Sequence, residues 1–221
     1  MIDETSTKEE VLEAVKQEGL ELGNAVYRLR NDREVVMEAV KQDGYALQYA
    51  SERLSYDREV VLQAVKQFGY ALEYASEELR NDREVVLEAV KHAGVSLKYV
   101  SLKLKNDRDV VMEAMKESVL ALEYASENLR CDRQFILKAV KINGYALGYA
   151  SEELKADREV VLEAMKQNVD ALEFASEDLK NNREVVLQAI KEDVRAVKYA
   201  SNELQIEMAQ SWATAWRFIN E

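Results

Sequence analysis

The sequence predicts an all-α fold, an α-solenoid of eight 25-residue helix-turn-helix repeats with a capping element at each end. Three observations predict it. The string D-R-E-V-V returns every 25 residues, the 221-residue chain contains no proline, and apolar residues follow the spacing of amphipathic helices. At the usual frequency of about 5%, roughly eleven prolines would be expected in a chain of this length, so helices can follow one another with few interruptions.

The repeat defines the domain organisation. Copies of the motif begin at Asp32, Asp57, Asp82, Asp107 (with Asp109 in place of the Glu) and Asp157, variants begin at Asp132 and Asn182, and a degenerate copy begins at Thr7. We therefore expect an N-terminal tail (residues 1–6), eight repeats (residues 7–206) and a C-terminal capping helix (residues 207–221). Repeats 1 to 8 are residues 7–31, 32–56, 57–81, 82–106, 107–131, 132–156, 157–181 and 182–206. Positions within a repeat are numbered from its first residue.

The first half of each repeat predicts a helix that starts at the Asp of position 1. The carboxylate of this Asp can accept the free N–H groups of the first turn, and Glu at position 3 suits the positive end of the helix dipole. Positions 4, 5, 8 and 9 are apolar and fall on one face of a helix; in repeat 2 they are Val35, Val36, Ala39 and Val40.

Position 13 predicts the end of this first helix, because glycine occupies it in most repeats. Val119, Val169 and Val194 take its place in repeats 5, 7 and 8. A β-branched residue is strained at positive φ, so we expect these turns to avoid the left-handed region.

The second half of each repeat predicts a second helix. Its apolar residues stand at positions 15, 16, 18, 19 and 23; in repeat 3 they are Ala71, Leu72, Tyr74, Ala75 and Leu79. Neither helix exceeds about 12 residues, a length that is marginal in isolation. The repeats must therefore stack to be stable.

Three positions are the same in all eight repeats: Ala at position 8, Lys at position 10 and Leu at position 23. A constant Ala among larger apolar residues indicates a close approach of helix backbones. The constant Leu indicates a core anchor. The constant Lys is expected to face solvent near the end of its helix, where a cation suits the dipole; the alternative is a ligand contact.

Both ends depart from the consensus. Repeat 1 places Glu10, Glu21 and Asn24 where other repeats have Val, Ala and Tyr, which is typical of a capping repeat with a wet outer face. After Ile206, four residues fall on one helical stripe: Met208, Trp212, Trp216 and Ile219. We expect this stripe to seal the stack. The alternative is that Trp212 and Trp216 form a surface for a partner or for homo-oligomerisation.

The consensus D-R-E-V-V-L-x-A-V-K-x-x-G-Y-A-L-x-Y-A-S-x-x-L-R-N-D resembles the short repeats of domain of unknown function 4116, a family that occurs as arrays in proteins of microbes and large viruses. The resemblance covers residues 7–206. It implies an all-helical repeat array, often a module of a larger protein, and it implies no catalytic residue, cofactor or substrate. The position 13 valines and the polar first repeat depart from the family pattern locally.

Charge and composition exclude several classes of protein. The chain carries 42 acidic against 30 basic residues, and a net charge of −12 speaks against a nucleic-acid partner. One cysteine rules out a disulfide framework within the chain. No apolar run approaches the roughly 18 residues of a membrane span, and the first ten residues are unlike a signal peptide. We therefore expect a cytoplasmic protein that does not enter a membrane.

The sequence offers no convincing catalytic, metal or cofactor site. His92, the single histidine, and Cys131, the single cysteine, each lack a partner that would make a nucleophile or metal site. Glu34 and Glu38 lie one turn apart, as a metal pair would, but the same face carries Lys41 and is typical of solvated surface. We expect no catalytic residue, no metal, no cofactor and no enzymatic activity.

Two columns of side chains leave alternatives open. The arginines at position 2 (Arg33, Arg58, Arg83, Arg108, Arg133, Arg158 and Arg183) could recognise phosphates or bases, one per repeat, or pair with acidic residues of neighbouring repeats. We favour ion pairing, because acidic residues flank most of them. The aromatic residue at position 18 could form a stacking ladder for bases, or pack between repeats, and we favour packing.

Positions that vary between repeats are the better guide to binding, because the scaffold needs the constant ones. Positions 12 and 14 flank the glycine and differ freely, and in adjacent repeats they place Tyr45, Phe68 and Tyr70 on one edge. This is the candidate partner-binding surface, together with Trp212 and Trp216; the alternative is half-buried packing. The function we expect is non-catalytic protein binding or scaffolding, with the partner unknown.

Overall fold

The computed structural model describes the backbone of residues 2–220 and the side chains of residues 2–211. Within that part the chain is helical and contains no strand, which confirms the all-α repeat architecture. The chain forms two compact units, residues 1–126 and residues 127–221. None of the described helices is both long enough and apolar enough to cross a membrane.

Each repeat begins with a ten-residue α-helix, which we call its first helix. In the N-terminal unit the first helices are Lys8–Gln17, Arg33–Gln42, Arg58–Gln67, Arg83–His92 and Arg108–Glu117. In the C-terminal unit they are Arg133–Ile142, Arg158–Gln167 and Arg183–Glu192.

The predicted cap and the predicted buried face of the first helix are both confirmed. Asp82 is the N-cap of its helix, and its Oδ1 accepts hydrogen bonds from the backbone N–H groups of Glu84 (2.9 Å) and Val85 (3.1 Å). The residues at positions 4, 5, 8 and 9 are buried in this helix: Val85, Val86, Ala89 and Val90. The apolar face found in the sequence is thus the core of the stack.

The second half of each repeat is not the single helix that the sequence predicted. It contains a six-residue 3₁₀ helix, an extended Ala-Ser step and a short third segment of one helical turn. The 3₁₀ helices are Gly19–Asn24, Gly44–Tyr49, Gly69–Tyr74, Gly94–Tyr99, Val119–Tyr124, Gly144–Tyr149, Val169–Phe174 and Val194–Tyr199. The third segments of repeats 1 to 7 are Tyr27–Arg30, Glu52–Ser55, Leu79–Asn81, Leu104–Asn106, Glu127–Arg130, Glu152–Lys155 and Glu177–Lys180.

In repeats 2 to 8 the serine at position 20, replaced by Val26 in repeat 1, stabilises this break. Its backbone N–H donates to a carbonyl of the preceding repeat instead of to its own helix, as in the bonds from Ser51 to Arg30 (2.9 Å) and from Ser101 to Arg80 (3.1 Å). Its hydroxyl accepts from the third segment; in repeat 6, Ser151 Oγ accepts from Leu154 N–H at 3.4 Å. A hydrogen bond between repeats therefore replaces the continuation of a helix.

The glycine at position 13 marks a close contact between repeats and not a left-handed helix stop. The first helix ends two residues earlier, and no residue of the described backbone has a positive φ, which confirms the expectation for the valine repeats. A Cβ added at Gly44 would lie 2.2 Å from the carbonyl oxygen of Ala64, in the next first helix. At Gly144 the same distance, to the oxygen of Ala164, would be 2.4 Å. Position 13 thus contacts the constant Ala of the next repeat, as the invariance of that Ala predicted.

The N-terminal end has the wet face expected of a capping repeat. Glu10 and Asn24 are exposed. Thr7 and Glu10 form a capping box, in which the Thr7 hydroxyl accepts from the Glu10 N–H (3.3 Å) and Glu10 Oε2 accepts from the Thr7 N–H (2.8 Å).

The C-terminal helix is longer than the sequence predicted. It runs over Asn202–Asn220, so it starts inside repeat 8 and not at residue 207. The third segment of repeat 8 simply continues, because the capped first helix of another repeat does not follow it. Leu204 and Met208 are buried along one face. The side chains of Trp212 and Trp216, which continue this stripe, lie outside the described residues.

Candidate functional site

The aromatic edge is the surface on which the predicted binding residues meet. Tyr45 is the second residue of its 3₁₀ helix, and its N–H is held by the Oδ1 of Asp43 at 2.8 Å. Phe68 is the extended residue that joins the first helix of repeat 3 to its 3₁₀ helix, and Tyr70 lies two residues further on. All these residues belong to the N-terminal unit.

The rings on this edge are in direct contact. The Tyr45 and Phe68 centroids are 5.5 Å apart with an interplanar angle of 87°, and the Phe68 and Tyr70 centroids are 5.4 Å apart. Edge-to-face and tilted contacts at these distances are favourable arrangements for aromatic pairs. The prediction that these three side chains lie together is confirmed as geometry.

Tyr74 is a fourth member of the aromatic edge. Its ring centroid is 5.6 Å from that of Tyr45, and the Tyr45 phenol raises the pKa of Tyr74 through a hydrogen bond, with burial adding to the effect. The sequence placed Tyr74 only among the position 18 packing residues. The signal that could have found it is the pairing of position 14 with position 18 of the next repeat, which recurs between Tyr145 and Phe174 at 6.1 Å.

The aromatic edge is partly packed and partly open to solvent. Tyr45 is 38% exposed, whereas Phe68, Tyr70 and Tyr74 are half-buried. The edge therefore combines both interpretations that the sequence left open. Its rings are fixed by one another, and part of their surface remains available for contact.

The position 18 column packs between repeats, as expected. Added Cβ atoms at Gly23 and Gly148 would lie 3.0 Å from ring atoms of Tyr49 and Phe174, which stand at position 18 of the following repeats. The six tyrosines of the column are half-buried: Tyr49, Tyr74, Tyr99, Tyr124, Tyr149 and Tyr199. Packing against neighbouring residues covers part of these rings, which favours a packing role over base stacking.

Most of the position 2 arginines pair with carboxylates of the next repeat, which confirms the favoured interpretation for them. Arg83 Nε lies 3.0 Å from Asp107 Oδ2, and its Nη2 lies 3.0 Å from Asp109 Oδ2. Arg33, Arg58 and Arg133 make the same double contact with the residues at positions 1 and 3. In repeat 1, Lys8 takes the role of the arginine and contacts Asp32 and Glu34, each at 2.8 Å.

The other residues that the sequence analysis considered as possible ligand, metal or catalytic groups lie on the surface. The position 10 lysines are exposed, and Lys41 pairs with Glu38 at 2.6 Å, so this glutamate and Glu34 both contact lysines. His92 is exposed, with Nε2 3.4 Å from a carboxylate oxygen of Glu88. Cys131 is an exposed free thiol.

A cleft of about 420 Å³ opens between repeats 7 and 8. Val169, at position 13, lines it together with Met165, Gln188 and Asp193. The first helices of repeats 6 and 7 pack along one another, and Gly144 stands at position 13 there. Since a side chain cannot occupy the place of that glycine without meeting the next repeat, the valine accounts for the looser packing at the cleft.

Comparison with known proteins identifies the repeat. The family described as Domain of unknown function (DUF4116) matches residues 7–55, 57–105, 82–130, 107–155, 132–180 and 157–205. These overlapping windows span nearly all of the eight repeats. No curated protein and no solved structure matches the chain.

Proposed function

Because the chain belongs to the DUF4116 family, a family of repeats without an assigned activity, we propose that it is a non-catalytic module that binds a protein partner through the aromatic edge. Extended stacks of helical repeats commonly serve as binding surfaces. The observation that carries the proposal is the contact between Tyr45, Phe68 and Tyr70 at positions that vary between repeats. The scaffold does not require aromatic residues there, since Asp170 and Arg195 stand at position 14 in repeats 7 and 8.

The physical properties of the edge suit a protein partner. Tyrosine and phenylalanine offer a large contact area and lose little rotamer entropy on binding, and tyrosine is enriched among binding hot spots. Rings that already contact one another are ordered before the partner arrives, which lowers the cost of binding. Outside this edge the surface is rich in Glu and Lys, whose exposed ion pairs contribute little.

The alternative, nucleic-acid binding through the Arg and Lys columns, has less support. Five arginines of the column contact carboxylates of the next repeat, and these contacts would have to be given up to bind a phosphate backbone: Arg33, Arg58, Arg83, Arg133 and Arg158. The net charge of −12 opposes the same interaction. An enzymatic role has the least support, because the described side chains, residues 2–211, do not place a nucleophile beside a base.

The test is partner capture by a variant of the edge. Tyr45→Asp/Tyr70→Asp should retain the fold, since Asp is native at the same position in repeat 7. Loss of one good anchor costs about 2 kcal/mol, so we expect the partner recovered from the native cell to fall by at least about tenfold. Recovery is measured by quantitative mass spectrometry of affinity-captured proteins, and retention of the fold by circular dichroism.

A matched control separates this edge from general surface effects. Tyr27 and Tyr56 are 65% and 55% exposed and lie in the same unit, outside the aromatic edge. Tyr27→Asp/Tyr56→Asp introduces the same charge and should leave capture unchanged. If both double variants bind alike, the aromatic edge is a packing feature, and Trp212 and Trp216 become the next surface to test for a partner or for self-association.

A further inference from the structure

A second surface of the N-terminal unit is basic, although the chain as a whole is acidic. Residues 94–106 contain three lysines and no acidic residue, in a chain of net charge −12. Between repeats 3 and 4 this segment borders a cleft of about 480 Å³. Its lining includes Glu77, Arg80, Lys98, Tyr99, Leu102 and Lys105. We call it the basic cleft. Its volume is within the roughly 300–1,000 Å³ of small-molecule sites.

Lys105 lacks the carboxylate that its counterparts have. At position 24 of repeats 6 and 7, Lys155 pairs with Glu152 at 2.8 Å and Lys180 pairs with Glu177 at 3.0 Å, both with the residue at position 21. In repeat 4 position 21 is Leu102, which is 84% exposed. Lys105 Nζ donates instead to the carbonyl oxygen of Lys98 at 2.8 Å, and burial lowers the pKa of Lys105.

Two further cations border the same cleft. Arg80 Nε is buried and has no hydrogen-bond partner within the described residues. Lys98 Nζ lies 4.4 Å from the ring centroid of Tyr99. Position 17, where Lys98 stands, is Gly, Gln or Glu in the other repeats except repeat 8, which has Lys198. The same Nε is unpaired in Arg30 and Arg130, at position 24 of repeats 1 and 5, so the two lysines beside Arg80 are what distinguish this cleft as a site for an anion.

The net charge of the residues that line the cleft indicates how much negative charge an anion would carry to balance it. Arg80, Lys98 and Lys105 carry three positive charges, and Glu77 in the lining carries one negative charge. The other nearby carboxylate, Glu73, accepts a hydrogen bond from the Tyr99 hydroxyl at 2.7 Å and does not line the cleft. A phosphate monoester carries about −1.5 to −2 charges near neutral pH and matches this excess.

We propose that the basic cleft binds a phosphomonoester. Arg80, Lys98 and Lys105 contact the phosphate oxygens, while Tyr99 and Leu102 offer apolar surface to the organic part. Leu102 has two effects here, because it removes the carboxylate that would neutralise Lys105 and it adds an exposed apolar side chain to the rim. This site is separate from the aromatic edge and does not depend on the function proposed for that edge.

The experiment is a titration of the full chain with phenyl phosphate at pH 7.5 and low ionic strength. Binding is measured by isothermal titration calorimetry and by NMR chemical shifts. We expect saturable binding to one site, with shifts centred on residues of the cleft. Inorganic phosphate should bind more weakly because it lacks the organic part, and benzoate more weakly because it carries a single charge. Absence of saturable binding, or equal affinity for benzoate, would overturn the proposal.

Two variants and a matched control locate the site. Leu102→Glu restores the position 21 carboxylate found in repeats 6 and 7, and because the side chain is exposed it should leave helicity unchanged. We expect at least about a tenfold loss of affinity for Leu102→Glu and for Lys98→Glu. Lys198→Glu makes the same charge change at the equivalent cleft of repeat 8, where Gln205 replaces Lys105 and Glu173 and Glu177 lie in the lining. That control should change affinity less than twofold, and an equal loss in all three variants would mean non-specific attraction.

Discussion

At the scale of the residue, one aspartate connects two repeats. Asp82 uses Oδ1 to cap its own helix, with the Glu84 N–H at 2.9 Å, and uses Oδ2 to receive Arg58 Nε of the preceding repeat at 2.8 Å. The hydrogen bond from Arg58 holds the pKa of Asp82 below its ordinary value of 3.8, although burial acts in the opposite direction. The same side chain thus starts a helix and joins it to its neighbour.

This arrangement predicts a pH-dependent contribution to stability. Because the folded pKa of Asp82 is lowered, the stabilisation is complete above the unfolded pKa, near 4, and is lost as the pH falls through the folded value. Arg58 is 43% exposed and solvent screens the pair, so Arg58→Gln should lower the free energy of unfolding only slightly at pH 7. The deficit should shrink as the pH falls below about 4, as measured by urea denaturation at several pH values.

Arg28→Gln provides the control for this prediction. Arg28 is exposed and forms no ion pair with the described residues, so its replacement should leave stability unchanged at every pH. A constant deficit for Arg58→Gln between pH 7 and pH 3 would contradict the role assigned to its carboxylate partner.

Residue chemistry could be predicted where it depends on neighbours in the sequence. An Asp before an amphipathic run predicts an N-cap, and an Arg column beside an acidic column predicts ion pairs, so both features could be predicted from the sequence. The place of Tyr74 on the aromatic edge could not be predicted, because its contact with Tyr45 joins position 14 to position 18 of the next repeat. That pairing depends on how far one repeat is shifted against the next, which the 25-residue period does not specify.

At the scale of the element, the first helix could be predicted and the second could not. The first helix follows from its cap and its 3.6-residue periodicity. In the second half, apolar spacing alone suggested one helix. The serine two residues after the aromatic residue, followed by Glu in most repeats, is an N-cap signature and marks the break. The inter-repeat hydrogen bond from the serine, such as Ser51 to Arg30, becomes visible only in the stack.

The packing of the 3₁₀ helix on the next first helix predicts a large effect of Gly69→Ala. The added Cβ would lie 2.4 Å from the Ala89 carbonyl oxygen and 2.8 Å from the Ala93 Cβ, and both atoms belong to the next repeat. Overpacking of this kind costs about 1–3 kcal/mol, to be measured from the urea midpoint. Gly23→Ala would meet only the Tyr49 ring, at 3.0–3.2 Å, and should cost less. Equal midpoints for Gly69→Ala and the parent protein would mean that neighbouring repeats separate freely at this glycine.

At the scale of the whole molecule, the repeats within each of the two units make their contacts mainly with the repeats before and after them. The junction contacts recur with the same residue types at the same positions: the position 2 arginine on the next Asp, the position 13 glycine on the next Ala, and the position 20 serine on the preceding repeat. Stability is then close to a sum of repeat and nearest-neighbour terms. The differences between junctions, such as the cleft beside Val169, are superimposed on this regular pattern.

This regularity predicts that one internal repeat can be removed. Deleting residues 82–106 joins Asn81 to Asp107 and places repeat 3 directly before repeat 5. Arg58 then faces Asp107 as Arg83 does now, Gly69 faces Ala114 as Gly94 does now, and Ser126 faces Asn81 in place of Asn106. We expect a folded, monodisperse helical protein by circular dichroism and sedimentation, with a lower free energy of unfolding because one repeat and one junction are lost.

Deleting only residues 82–93 removes a first helix and leaves the apolar faces of its neighbours uncovered, so that variant should aggregate. Equal helicity and solubility of the two deletions would contradict a stack in which neighbouring repeats stabilise one another.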